Sequence, residues 1–123
     1  MTDMHLTPSF LQQYPLFKAL TDEELNQVIP LTRVESIRKD ACLYLAGETS
    51  DKLYFVIEGW FKAERTSMDG RQATLRFMGP GELINELSIF STVVNAVTVI
   101  AMADAKVLIL AQNDAKTFDF WIN

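Results

Sequence analysis

The chain has 123 residues, 49% hydrophobic and 22% charged, with a formal net charge of −5 from 11 basic and 16 acidic side chains. That length and apolar content suit one domain with a real core and exclude a disordered chain, and the acidic balance disfavours direct contact with nucleic acid. One cysteine (Cys42) and one histidine (His5) rule out an intrachain disulfide, a four-thiolate metal site and a histidine-clustered metal barrel; a Ser-His-Asp or Cys-His device would have to recruit His5, so neither enzyme activity nor a metal is expected.

The start, Met1 to His5, lacks the basic flank and apolar core of a secretory signal. No apolar run approaches the roughly 20 residues of a membrane span, so a cytoplasmic protein without membrane contact is expected. Residues 1–32 read as a helical segment. Leu16, Phe17 and Leu20 form an apolar cluster after Pro15. Thr21 and Glu24 have the spacing of a capping box, in which each side chain satisfies the other residue's free amide. Leu25, Val28 and Ile29 follow as one helical stripe, and Pro30 ends or distorts the helix.

From about residue 33 to residue 112 the period changes to two. Leu53 to Ile57 is rich in aromatic and β-branched residues and reads as a strand that ends at Glu58-Gly59. Trp60 to Thr66 alternates, with Phe61, Ala63 and Arg65 on one side. Met68-Asp69-Gly70-Arg71 predicts a tight hairpin, because Asp-Gly tolerates positive φ. The return strand, Gln72 to Phe77, is expected to put Ala73, Leu75 and Phe77 on one face. Gly79-Pro80-Gly81 breaks it. Two more strands are expected at Val97–Ala101 and Lys106–Leu110. Residues 113–123 then open a helix with Asp114 as its N-cap and Ala115, Phe118, Trp121 and Ile122 at helical spacing. Such an apolar edge needs a partner, and a homodimer in a longer protein is expected. The order predicts a mainly β fold with flanking helices, an antiparallel barrel or jelly roll.

Ala46-Gly-Glu-Thr-Ser-Asp-Lys-Leu-Tyr-Phe-Val-Ile-Glu-Gly59, the Asp69-Gly70 hairpin, Phe77-Met-Gly-Pro-Gly-Glu82 and Asn85-Glu86 together resemble the signature of cyclic-nucleotide-binding domains. The resemblance covers about residues 14 to 118 and is most similar to the amino-terminal sensor domain of Crp/Fnr-type transcription regulators. It implies an antiparallel double-stranded β-helix (jelly-roll) barrel of the cyclic-nucleotide-binding type. It further implies a dimerising helix after the barrel, a small-molecule effector, and contact with DNA only through a domain absent from this chain.

In that family a glycine lets backbone amides approach the phosphate, a glutamate accepts from the ribose hydroxyl, and an arginine pairs with the phosphate. Here these positions are Asn85, Glu86 and Asn95. The residue after the arginine position is Ala96. Asn85, Glu86, Leu87, Asn95 and Ala96 are therefore the candidate ligand-binding positions of a degenerate cassette, and Leu75, Phe77, Ile89 and Phe90 are candidate pocket-lining residues. A charge-assisted bond to phosphate contributes about 1.5–3 kcal/mol, and asparagine cannot replace it, so cyclic nucleotide is disfavoured as the ligand and the effector is unknown. Arg65 or Arg76 could substitute from a neighbouring strand. The apolar loop Ile89–Val94 either lines a pocket for an apolar effector or fills the space a nucleotide would take. Some sensors of this type use haem, but Cys42 sits in an apolar strand pattern and is expected to be a buried structural thiol. Trp60, Tyr54 and Tyr44 are expected to pack or dimerise. Two other readings stand beside the sensor: a free-standing regulatory module acting through protein–protein contacts, and a true cyclic-nucleotide sensor with an unusual cassette.

Overall fold

The computed structural model describes residues 6–85 and 93–115. Two short helices, α1 (Pro8–Leu11) and α2 (Asp22–Val28), precede ten strands, and α3 (Gln112–Ala115) follows them. The Thr21–Glu24 capping box forms reciprocally, with both bonds made. Pro30 sits in a tighter 3₁₀ turn, Ile29–Leu31, that closes the helical segment.

The strands are β1 (Thr32–Ile37), β2 (Cys42–Tyr44), β3 (Thr49–Ser50), β4 (Lys52–Glu58) and β5 (Phe61–Thr66), then β6 (Gln72–Met78), β7 (Leu83–Ile84), β8 (Val93–Val94), β9 (Thr98–Ala101) and β10 (Ala105–Ala111). All pairings are antiparallel. One sheet runs β1-β10-β4-β7, a second runs β2-β9-β5-β6, and β3 pairs with β8. This is the expected jelly-roll arrangement, built among the described residues as two four-stranded sheets and the β3–β8 pair, with no closed ring of strands.

β4 and β10 carry continuous apolar runs because both of their faces are buried. Leu53, Phe55, Leu108 and Leu110 face the helical segment and pack with Leu11, Tyr14, Phe17, Leu25 and Val28. Phe55 stacks on Phe17 at 4.8 Å between ring centroids and meets Tyr14 edge-on at 5.2 Å. The alternate residues, Tyr54, Val56, Val107 and Ile109, face the second sheet and meet Phe61, Ala63, Met78, Val99 and Ala101. The Tyr14 hydroxyl donates to the Val56 carbonyl at 2.7 Å and ties the helical segment to the sheet. Burial pushes the Tyr14 phenol up to about 12.

Three sequence expectations change. A bulge opposite Ala63 and Glu64 interrupts β6, so that Thr74 lies opposite Glu64 and Arg76 opposite Ala63. The single face expected for Ala73, Leu75 and Phe77 is therefore broken at residue 75. The terminal helix starts at Gln112, whose amide donates to the Asp51 carbonyl at 2.7 Å, which puts Asp114 inside the first turn and not at the N-cap. Cys42 is exposed, because β2 is an edge strand of its sheet and presents that residue outward. The Asp69-Gly70 hairpin forms as expected, with the Gly70 amide on the Ser67 carbonyl at 3.0 Å and Gly70 at φ +85°.

Candidate functional site

The site lies between the sheets, where β7 and β8 leave the core. The turn Gly79–Glu82 is hooked onto the middle of β4: the Gly81 amide donates to the Val56 carbonyl and the Val56 amide donates to the Glu82 carbonyl. That anchor aims β7 along β4, pairing Leu83 with Phe55 and Ile84 with Tyr54. Asn85 follows at φ +69°. Glycine takes this left-handed conformation freely, and asparagine is among the side chains that tolerate it. Asn85 thus makes the left-handed turn that a glycine would make there. The Asn85 amide group donates to the Lys52 carbonyl at 3.0 Å.

On the far side, β8 delivers Asn95. Its amide donates to the Glu48 carbonyl at 2.8 Å, and its carbonyl accepts from the Gly47 amide at 2.9 Å. Its side-chain Nδ2 donates to the Leu45 carbonyl at 3.1 Å. The turn Leu45–Glu48 and Asn95 therefore form one strapped unit. The Ala46 amide on Thr98 Oγ1 at 3.0 Å joins β9 to it. Asn95 is 6% exposed, and among the described residues no hydrogen-bond donor reaches its buried Oδ1.

Between these two asparagines lies a cavity of about 350 Å³. Its walls are mainly apolar, with Ala63, Met78, Ile84, Val97 and Val99 among them; Tyr44, Arg76, Asn85 and Asn95 are polar residues of the lining. Burial raises the Tyr44 phenol above its ordinary value, and the neighbouring Tyr54 adds to this while Arg76 opposes it. Tyr44 therefore stays protonated at neutral pH. Arg76 is the one cation among the described lining residues, and it already pairs with Glu82 at 3.3 Å. Arg65 is exposed at the end of β5 and does not line the cavity.

Of the sequence-derived positions, Asn85, Asn95, Ala96 and Leu75 meet at this cavity. Phe77 lines a second cavity of about 790 Å³ instead, between the helical segment and β6–β7, with Tyr14, Leu16 and Glu82; Arg76 borders both. Glu86, Leu87, Ile89 and Phe90 lie outside the described residues, as do Phe118, Trp121 and Ile122. The strap between Asn95 and Leu45–Glu48 went unread in the sequence, because a two-residue strand such as β3 or β8 leaves no periodic signal. Trp60, half exposed, covers Gly79, where an added Cβ would lie 2.6 Å from the indole ring. Tyr54 packs in the core, with its ring 6.1 Å from that of Tyr44. Among the described residues no cluster of potential metal ligands occurs, and no helix is long and apolar enough to cross a membrane.

Residues 34–118 match the family model described as the cyclic nucleotide-binding domain. The chain belongs to that family. It is 28% identical over 100 residues to the cyclic AMP receptor protein of Thermus thermophilus, an alignment that covers 81% of this chain and 46% of that protein. Over 90 residues it is 29% identical to the potassium channel GORK of Arabidopsis thaliana, covering 73% of this chain and 11% of the channel. Among solved structures, the N-terminal domain of a transcriptional regulator from Streptomyces coelicolor A3(2) superposes with a TM-score of 0.79 at 36% identity, covering 92% of this chain and 77% of that one. The chain is thus a cyclic-nucleotide-binding-like domain of the Crp family, a regulatory and sensor family, and it spans about half the length of the Thermus receptor or less of the other curated relatives.

Proposed function

We propose that this chain is the effector-sensing and dimerising domain of a Crp/Fnr-type transcription regulator, and that its effector is not a cyclic nucleotide. The observation that carries this reading is Asn95. It holds the position of the family's phosphate-pairing arginine, it is buried, and its side chain is committed to the Leu45 carbonyl. Arg76, the one cation among the described lining residues, is engaged by Glu82. A phosphate entering here would lose its water without gaining a charge partner, which is strongly unfavourable.

The likeness to the Streptomyces regulator's N-terminal domain supports the assignment to transcription, with DNA reached through a further domain of the longer protein. The likeness to a plant potassium channel favours a second reading, a regulatory module acting through protein–protein contact on another kind of partner. The coding sequence beyond residue 123 separates the two: a helix-turn-helix supports the first reading.

A thermal-shift screen against cyclic AMP, cyclic GMP, haem and small aromatic molecules tests the sensing claim. The expected outcome is stabilisation by an apolar small molecule and none by micromolar cyclic nucleotide. Stabilisation by cyclic AMP at that level would overturn the proposal.

A further inference from the structure

We infer that the second cavity, between the helical segment and β6–β7, binds a zwitterionic small molecule with an apolar body, of the aromatic amino acid class, whose carboxylate meets Arg76 and whose ammonium meets Glu82. This site is separate from the cavity between the two asparagines, and the inference stands whatever effector that cavity takes.

The walls supply the apolar half of the argument. Pro15, Leu16, Ala19, Phe77 and Leu83 line the cavity, and all five reach solvent. Phe77 is 54% exposed, a large apolar surface that an apolar body would take out of water. The volume, about 790 Å³, lies within the range of small-molecule sites.

Two opposite charges stand on this apolar wall. Arg76 and Glu82 both line it, with Arg76 Nη2 3.3 Å from Glu82 Oε2 and side chains 57% and 41% exposed. A ligand in the cavity therefore reaches both heads without any rearrangement. Among the described residues, that one contact is the only hydrogen bond that either charged head makes. A guanidinium has five N–H donors and a carboxylate about four acceptor sites, so the pair keeps most of its capacity. Both backbones are fixed. The Glu82 amide donates to the Gly79 carbonyl at 3.1 Å and its carbonyl accepts from the Val56 amide at 2.9 Å; Arg76 lies opposite Ala63 in the β5–β6 ladder. The two charges are thus presented at a set spacing before a ligand arrives, which lowers the cost of binding.

Charge complementarity then selects the occupant. A lone anion gains Arg76 but is repelled by Glu82 beside it, and a lone cation meets the reverse. A molecule with both signs close together, as in an α-amino acid, completes an array of four alternating charges and leaves the Arg76–Glu82 pair intact.

The test titrates tryptophan, tryptamine and indole-3-propionate, which share one ring and carry both charges, the positive one and the negative one, into the uniformly ¹⁵N-labelled chain. Tryptophan is expected to shift the backbone amides of Leu16, Ala19, Phe77 and Leu83. It should bind about two- to fivefold more tightly than either analogue, the ratio that one partly exposed ion pair supplies. In Glu82→Gln its advantage over indole-3-propionate should disappear while that over tryptamine remains; in Arg76→Gln the pattern should reverse. Should a variant fail to fold, the ratios in the wild type decide alone. Equal affinity of the three molecules in the wild type, no saturation by about 10 mM tryptophan, or shifts confined to Ala63, Val97 and Val99 of the other cavity would overturn the inference.

Discussion

The pair of changes Asn85→Gly and Asn95→Arg is expected to raise the chain's affinity for cyclic AMP. The gain comes from residue 95: a guanidinium meeting the phosphate contributes about 1.5–3 kcal/mol, roughly a ten- to hundredfold rise in affinity. The losses are small. Asn95→Arg gives up the Nδ2 bond to Leu45 at 3.1 Å, about 1 kcal/mol for a neutral pair, and at the same time removes the unpaired Oδ1. The bonds from the residue 95 backbone to Gly47 and Glu48 do not depend on the side chain and keep the strap closed. Asn85→Gly gives up the bond to Lys52 at 3.0 Å but keeps φ at +69° without strain. The sum, about 1–2 kcal/mol, is well within the 5–15 kcal/mol of a typical domain. Calorimetric titration of cyclic AMP into the wild type, each single variant and the double variant, with thermal unfolding to confirm that each is folded, is the assay. Asn85→Gly alone should gain little. A folded double variant with no more affinity than the wild type would refute the claim that the missing cation is what closes this site to nucleotide.

Gly59→Ala should destabilise the fold by about 2–4 kcal/mol, combining strain with overpacking: at φ +84° its Cβ would lie 2.6 Å from the Ala105 Cβ and 2.8 Å from the Asp104 carbonyl. Urea unfolding measures it, and a shift within a few tenths of a kcal/mol would contradict the geometry. Tyr14→Phe should cost about 1 kcal/mol, because the Val56 carbonyl keeps its bond from Gly81. It should also change the alkaline limb of stability. The folded phenol titrates near 12 against an ordinary value of 10.0, so its contribution is intact below pH 10 and is lost as pH rises toward 12; the variant should lose stability less steeply across that window. Cys42, exposed on its edge strand, should react with a thiol reagent in the native protein as readily as in the unfolded one.

The parts legible in sequence were those with a local physical signal. Thr21 and Glu24 announced a helix start through side chains that serve each other's amides, and Asp69-Gly70 announced a hairpin through tolerance of positive φ. The apolar run from Leu53 to Val56 announced a strand, but it took the structure to show why alternation is missing there: one face meets Phe17 and Val28, the other Phe61 and Val99. Features set by non-local pairing were not legible. The β6 bulge depends on how Ala63 and Glu64 meet the opposite strand, so the faces of Leu75 and Phe77 could not be read from spacing. Cys42 read as core because its neighbours are apolar, yet an edge strand turns it outward. At the site, residue 95 is legible in the sequence as an uncharged side chain, Asn95. That its amide is strapped to Leu45, leaving Oδ1 unpaired, follows from a contact 50 positions away along the chain.

The direct test of a sensor without a nucleotide ligand is calorimetric titration of cyclic AMP into the wild-type chain at neutral pH and moderate salt. With an uncharged Asn95 at the cavity and Arg76 held by Glu82, the predicted result is no heat of binding up to hundreds of micromolar, since micromolar affinity needs about −8 kcal/mol and, under the proposed reading, the phosphate is left without a charge partner. A saturable isotherm with a dissociation constant in the low micromolar range would contradict it and return the chain to the cyclic-nucleotide sensors.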